Sequence, residues 1–181
     1  MNMTGRVLLA LFTVLLTQNY VRPDDLILYT RYVELFERYR TASGTMRQTA
    51  FEAMIRHVCN DGMDMTEVTW PDDQPMTWKL SLDDHLRTFS GRWNLWFYVP
   101  EGATKIGLYV DTTAGQVIDS AGHAAMNLED LNGQYVSIDV EPETAGCLWR
   151  LNQVAGKVCL MNVPPYAART AEQLLLPTDG R

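Results

Sequence analysis

The sequence predicts an α+β protein, in which an N-terminal helical hairpin or three-helix element packs on a C-terminal antiparallel, jelly-roll-like β-sandwich. Two observations support this class. In the N-terminal third, apolar residues recur at spacings of three and four. The remainder contains short β-rich segments about every eight to twelve residues, separated by Gly, Pro and Asn. We place the boundary near residue 86, between a helical region with a linker (1–86) and a β-sandwich domain (87–181).

Composition limits the kinds of partner. The 181 residues, with a hydrophobic share of 46% and a charged share of 20%, are typical of one or two globular domains. A formal net charge of −7 and the lack of a basic run argue against nucleic acid or an anionic membrane surface as the main partner. Three cysteines without a Cys-x-x-Cys motif argue against a disulfide framework or a zinc ribbon, and leave pairing of Cys147 with Cys159 open.

An apolar run at residues 7–16 follows Arg6 near the start of the chain. It is too short to span a bilayer, so we expect no membrane-spanning helix there. Its length suits a signal peptide, which would make the protein extracellular or periplasmic, although no small-residue cleavage site follows. The other interpretation is a buried helix over residues 7–19 in a cytoplasmic protein, with residues 7–16 contacting a protein partner or a second copy.

Two helices are predicted next. Asp24 is a suitable N-cap for the first, which continues to about Ala42. The Thr-Met-Arg-Gln sequence at 45–48 has the capping-box pattern and opens a second helix that ends near Asn60. The short connection predicts an antiparallel hairpin. His57 lies near the end of the second helix, where we expect it to interact with the helix dipole rather than act as a ligand or base.

The sheet is organised around residues 93–110. Segments 94–99 and 105–110, joined by a Pro-Glu-Gly turn, predict a β-hairpin. One earlier strand is expected within the linker, at about 77–80. The remaining predicted elements are strands at 116–118, 134–140, 148–151 and 158–161 and a short helix or turn at 167–175.

Catalysis has little support in the sequence. A nucleophilic triad needs a histidine beside Ser or Cys, and His57, His85 and His123 fall in a helix end, a linker and a turn. Carboxylates are plentiful, but they lie at strand ends and turns, where acids are ordinary. We therefore predict a non-catalytic protein. The chain lacks a His/Cys cluster and a phosphate-binding glycine loop, so we expect no transition metal or cofactor, while loop-bound structural calcium stays open.

Carbohydrate binding is the functional interpretation with a physical basis. Sugar rings stack their C–H faces on flat aromatic side chains, and nearby polar groups hold the hydroxyls. The candidate ligand-binding residues among the strands are Trp93, Trp96, Tyr98 and Trp149. The competing interpretation is that these rings form the core of the sandwich.

Two blocks of the chain resemble a known family. The helical block at 24–35 and 47–57 is similar to a late segment of large bacterial proteins that carry a glycosidase-like domain of unknown function, akin to α-glucuronidase barrels. The C-terminal β-sandwich of the same proteins resembles segments 96–102 (Trp-Phe-Tyr-Val-Pro-Glu-Gly), 115–122, 148–150 and 161–177, which includes Pro-Pro-Tyr. The family's catalytic barrel has no counterpart here, so no catalytic residue is carried over. The resemblance implies an accessory region of a carbohydrate-active protein.

The sequence therefore favours a non-catalytic, carbohydrate-associated accessory module or subunit with a glycan as its ligand. The alternative is a structural or assembly protein, whose sandwich and apolar N-terminal helix make contacts with other protein chains.

Overall fold

The computed structural model describes residues 23–60, 75–82 and 91–177, with side chains from Thr30 onward. In this part of the chain two helices precede an antiparallel sheet of seven strands. The predicted α+β class is therefore confirmed. The apolar run at 7–16 and His85 lie outside the described residues, and the two interpretations of that run stay open.

The two helices are α1 (Pro23–Thr41) and α2 (Gly44–Asn60). Their ends agree with the sequence-based boundaries within a residue or two. Only two residues connect them, and the helices pack on each other as an antiparallel hairpin. The buried side chains follow the helical period: Tyr32, Leu35 and Tyr39 on α1, and Phe51, Met54, Ile55 and Val58 on α2.

Aromatic side chains anchor the helical hairpin to the rest of the molecule. The Tyr32 hydroxyl donates a hydrogen bond to the Pro75 carbonyl, and the Tyr39 hydroxyl donates to the Leu176 carbonyl at 2.9 Å. The Phe51 ring packs edge-on against another aromatic ring, with its centroid 4.9 Å from that of Tyr166. The helices thus pack against the segments at one end of the sheet.

The strands are β1 (Thr77–Lys79), β2 (Trp93–Val99), β3 (Lys105–Ile118), β4 (Ala124–Asn127), β5 (Leu131–Asp139), β6 (Cys147–Leu160) and β7 (Tyr166–Ala168). Their order across the sheet is β1-β7-β2-β6-β3-β4, and β5 pairs with the N-terminal half of β3 on the same edge as β4. Strand β1 confirms the strand predicted within the linker. It joins the sheet although it precedes residue 86, and the domain boundary there stays a prediction.

The hairpin predicted for β2 and β3 is wrong, because β6 lies between them and pairs with both. The turn itself exists, closed by a 3.1 Å hydrogen bond from Ala103 N to the Pro100 carbonyl. Both strands are antiparallel to β6, so they run parallel to each other. Alternation and turn residues indicate that strands exist, whereas the pairing partner is set by side chains far away in sequence.

Strand β6 is sharply bent, which folds the sheet over on itself. At one end Gly146 lies against Glu101, since a Cβ built on it would be 3.6 Å from that of Glu101. At the other end Met161 N donates to the Gly107 carbonyl at 3.0 Å. The chain from 101 to 107 spans at most about 21 Å, whereas residues 146–161 would extend over roughly 50 Å if straight. One bent sheet therefore supplies the two layers that a sandwich requires.

The bend occurs where the backbone leaves the ordinary extended conformation. In β6, Gln153 has φ of 52° and Gly156 has φ of 125°, and Gly115 in β3 has φ of 135°. A Cβ on Gly156 would lie 2.3 Å from the Asp111 carbonyl oxygen, and one on Gly115 would lie 2.8 Å from Val154 Cα. Only glycine fits at these two close approaches.

One hydrophobic core joins the helices to the folded sheet. From the sheet it includes Leu95, Phe97, Val99, Ile106, Leu108, Val110, Trp149, Leu151, Val158 and Leu160. We call the side of the sheet that carries these residues the inner face, and the opposite side the outer face. Neither of the described helices is long and apolar enough to cross a membrane.

Candidate functional site

The two faces of β2 differ in burial. Leu95, Phe97 and Val99 are buried on the inner face, whereas Trp96 and Tyr98 alternate with them and are partly exposed on the outer face. The sequence could not reveal this division, since the apolar character of the strand is nearly continuous from Trp93 to Val99.

A row of outer-face side chains crosses four neighbouring strands. Trp96 on β2 is paired with Arg150 on β6 and with Ala168 on β7, and Arg150 is paired in turn with Ile118 on β3. Residues paired across strands project from the same face of a sheet. We call Ile118, Arg150, Trp96 and Ala168 the outer row. Its two end members, Ile118 and Ala168, are buried, whereas Arg150 and Trp96 between them are partly exposed. Tyr98 stands two residues beyond Trp96 on the same face.

Arg150 is the charged member of the outer row. Its guanidinium carbon lies 5.3 Å from the centroid of the Trp96 ring, within the range of a cation–π interaction. Among the described residues, no carboxylate forms an ion pair with Arg150 and no acceptor takes a side-chain hydrogen bond from it. The Nε of Arg150 is shielded from solvent and has no hydrogen-bond partner, whereas its two Nη atoms are not shielded in this way. These Nη groups are donors available to an oxygen of a ligand.

The other two sequence candidates face the core. Trp149 is only 1% exposed, and its Nε1 donates to the Thr144 carbonyl at 2.9 Å. Trp93 packs against the core, with its Nε1 3.3 Å from the Gly156 carbonyl. A ring enclosed like that of Trp149 has no surface for stacking. The structure thus separates the four candidates into two outer-face and two core side chains, and ligand binding by any of them stays a prediction.

Sequence reasoning missed two features of the outer face. One is Arg150, whose position beside Trp96 depends on the register between β2 and β6 and has no local signal. The other is a pair of tyrosines, Tyr109 on β3 and Tyr135 on β5, whose ring centroids are 5.2 Å apart. For Tyr135 a signal existed, because the alternation at 134–140 places it with Ser137 on the face opposite the apolar residues.

Neither of the two histidines that the structure describes, His57 and His123, belongs to the outer row. His57 is buried in the last turn of α2, the position expected for a partner of the helix dipole. His123 is exposed in a turn, where its backbone N–H donates to the Asp119 carboxylate at 2.8 Å. Within the described ranges, no three His, Cys, Asp or Glu side chains form a group that could hold a metal ion.

The three cysteines are free thiols. Cys147 is the first residue of the bent strand β6 and Cys159 is its second-last residue. The two cysteines do not form a disulfide. Burial raises the pKa of the Cys159 thiol, an effect partly offset by the positive charge of Lys157. Such a thiol is protonated and inert at neutral pH, so it behaves as a small core residue.

An open groove of about 490 Å³ lies between the helices, away from the sheet. It is lined by the C-terminal end of α1 and the first half of α2, including Leu35, Met46 and Ala50. Met46 is 75% exposed there. The lining is largely apolar in area, although Arg38 and the threonines at 41, 45 and 49 also border the groove.

Comparisons with known proteins found no matching family model and no curated protein or solved structure of significant similarity. The likeness to glycosidase-associated bacterial proteins therefore stays a hypothesis.

Proposed function

We propose that this chain is a non-catalytic, carbohydrate-associated accessory module or subunit that binds a glycan on the outer face of β2. One observation carries the proposal. Trp96 and Tyr98 occupy adjacent outer-face positions, outside the core, beside the guanidinium of Arg150, which has no ion-pair partner among the residues that the structure describes. Aromatic surface next to a free hydrogen-bond donor is the combination that recognises a sugar, which has an apolar C–H face and a rim of hydroxyls.

The spacing of these groups suits an oligosaccharide. Residues two apart on a strand are about 7 Å apart, so the rings of Trp96 and Tyr98 lie within reach of one or two adjoining sugar units. In this arrangement the sugar ring stacks on aromatic surface and the Arg150 Nη groups donate to its hydroxyl oxygens. At about −0.3 kcal/mol per non-hydrogen atom, a disaccharide of roughly 23 such atoms reaches a Kd no tighter than about 10 µM.

An array of neutral and acidic oligosaccharides tests the proposal. We expect the wild-type chain to bind a subset of the glycans, and Trp96→Ala to lower that binding at least tenfold with an unchanged circular dichroism spectrum. Met46→Ala serves as the control, because it removes an exposed apolar side chain from a distant helix. A wild-type chain that binds no glycan, or a Trp96→Ala variant that binds normally, contradicts the proposal.

The rival proposal is assembly with other protein chains, which the open edge of β5 favours. Within the described part of the chain β5 pairs only with β3, and residues 132–135 are all exposed. Unpaired strand edges are templates for pairing with another chain. Sedimentation velocity tests this function: a concentration-dependent oligomer that Ser137→Lys dissociates supports it, and a monomer at all concentrations refutes pairing between copies through this edge.

A further inference from the structure

The tyrosine pair on β3 and β5 is a second patch of aromatic surface, in the other half of the folded sheet. Tyr109 and Tyr135 are directly opposite each other in the register. The hydrogen bond from Val140 N to the Thr104 carbonyl, at 3.0 Å, fixes the phase of this ladder. Counting from it, Tyr109 and Tyr135 form a non-hydrogen-bonded pair, the type in which opposing side chains approach most closely. The 5.2 Å separation of the ring centroids agrees with this phase.

Tyr135 is open to solvent because its neighbours on the same face are small, whereas Tyr109 is half-buried and is paired on its other side with the fully buried Cys159. Tyr135 is 70% exposed, more than any other described aromatic side chain. Gly107 and Ser137 form the next pair along the ladder, and a Cβ on Gly133 would already lie 3.6 Å from the Tyr109 hydroxyl. The rings, set at 61° to each other, therefore form an accessible corner.

Polar groups border this corner on the β6 side. The Lys157 Nζ lies 5.8 Å from the centroid of the Tyr109 ring, and Asp111 is opposite Lys157 in the register. The Lys157 ammonium, the Asp111 carboxylate and the nearby Ser137 hydroxyl supply both donors and acceptors for the hydroxyls of a sugar. Two tyrosine rings give far less than the roughly 800 Å² per partner that a stable protein interface buries, so a small ligand fits the patch better.

We propose that Tyr109, Tyr135 and Lys157 form a second sugar-binding platform, independent of the outer row. This inference rests on the proposed function, since it assigns a further site for the same class of ligand. The sugar ring stacks on Tyr135, and its hydroxyls bond with Lys157, Asp111 and Ser137. The two platforms project from different halves of the folded sheet, away from the shared core.

Binding of the full chain to the same oligosaccharide array, with four variants, tests the second platform. Two sites engaged on a dense surface gain avidity, so Tyr135→Ala and Trp96→Ala are each expected to lower apparent affinity at least tenfold, and the double variant to abolish binding. Tyr135→Phe, which keeps the ring, is expected to bind like the wild type. Met46→Ala is again the control, and circular dichroism reports whether each variant keeps its fold.

The outcomes separate the two proposals. Normal binding by Tyr135→Ala, with binding lost in Trp96→Ala, overturns the second platform and leaves the proposed function in place. Loss in Tyr135→Ala with normal binding in Trp96→Ala supports the tyrosine platform and overturns the site on β2. Equal loss in Tyr135→Phe and Tyr135→Ala contradicts stacking as the contact. An array on which the wild-type chain binds nothing overturns both proposals.

Discussion

Trp149 and Trp96 lie on neighbouring strands, and they differ in every respect that matters for function. Trp149 points to the inner face, is 1% exposed and donates a hydrogen bond to the Thr144 carbonyl. Trp96 is paired with the residue next to Trp149, yet it points to the outer face and contacts Arg150, which forms no ion pair with any carboxylate in the described part of the chain. The two faces of one sheet thus divide the aromatic residues into those that hold the fold and those available to a ligand.

The largest effect that we expect is from an inner-face substitution, Trp149→Ala. It removes a fully enclosed indole and leaves a cavity, so the free energy of unfolding should fall by about 3–5 kcal/mol. Urea denaturation measures the loss. Trp96→Ala is the outer-face counterpart, and because the Trp96 ring is partly exposed we expect a smaller loss, about 1–2 kcal/mol. Similar losses in the two variants would remove the distinction between the faces.

The second effect concerns the bend that folds the sheet into two layers. Gly156→Ala puts a Cβ 2.3 Å from the Asp111 carbonyl oxygen at a backbone φ of 125°, so we expect a loss of about 2–4 kcal/mol. Gly102→Ala is the matched control, because Gly102 also has a positive φ, 75°, but no atom within 4 Å of the added Cβ. Its expected cost is about 1–2 kcal/mol. Equal costs in thermal unfolding would show that the close approach at Gly156 is absent.

A smaller effect separates a buried thiol from a partly exposed one. Because burial raises the pKa of Cys159, the folded state keeps its proton at a pH where the unfolded chain has lost it. Stability should therefore fall as the pH rises through the ordinary thiol pKa of about 8.5, and Cys159→Ala should reduce that fall. Urea midpoints between pH 7 and 10 measure this. Cys147→Ala, at the other end of β6, is the control.

The smallest effect on stability is expected at the tyrosine platform. Tyr135 is 70% exposed, so Tyr135→Ala removes little buried surface and should change the free energy of unfolding by no more than about 0.5 kcal/mol. A loss above about 1.5 kcal/mol in the same urea experiment would mean that Tyr135 is part of the packing rather than free for a ligand.

The sequence allowed the local parts of this fold to be predicted. The i, i+3 and i+4 spacing of apolar residues and the Gly at 44 located α1 and α2 closely, because helix signals arise within one turn of chain. Strand positions were recovered in part, including the short β1. Strand β4 was not predicted, β7 lies where a helix or turn was expected from residue 167, and β3 and β6 were each predicted as two separate strands. The pairing of β2 with β6 was not predicted, since it depends on contacts between residues 48 to 61 positions apart.

The candidate site was harder to predict than the fold. Trp93 and Trp96 are the same residue type, three positions apart on one strand. A register shift between Trp93 and Leu95 changes which residues of β6 are opposite them. The shift coincides with Gln153 in β6, whose φ of 52° has no proline or glycine to announce it. Only the register between β2 and β6 reveals which aromatic side chains face outward and that Arg150 lies beside Trp96.

The most direct test of the division between the faces follows the indole N–H signals of a ¹⁵N-labelled chain by NMR during glycan addition. The chain is titrated in turn with cellohexaose, xylohexaose, mannohexaose and a hexamer of galacturonate, and site-directed variants assign each indole. We expect a bound glycan to shift the Trp96 indole signal and to leave the Trp149 signal in place. A shift of Trp149 with Trp96 unmoved, or no shift with any glycan that the array identifies as bound, contradicts this expectation.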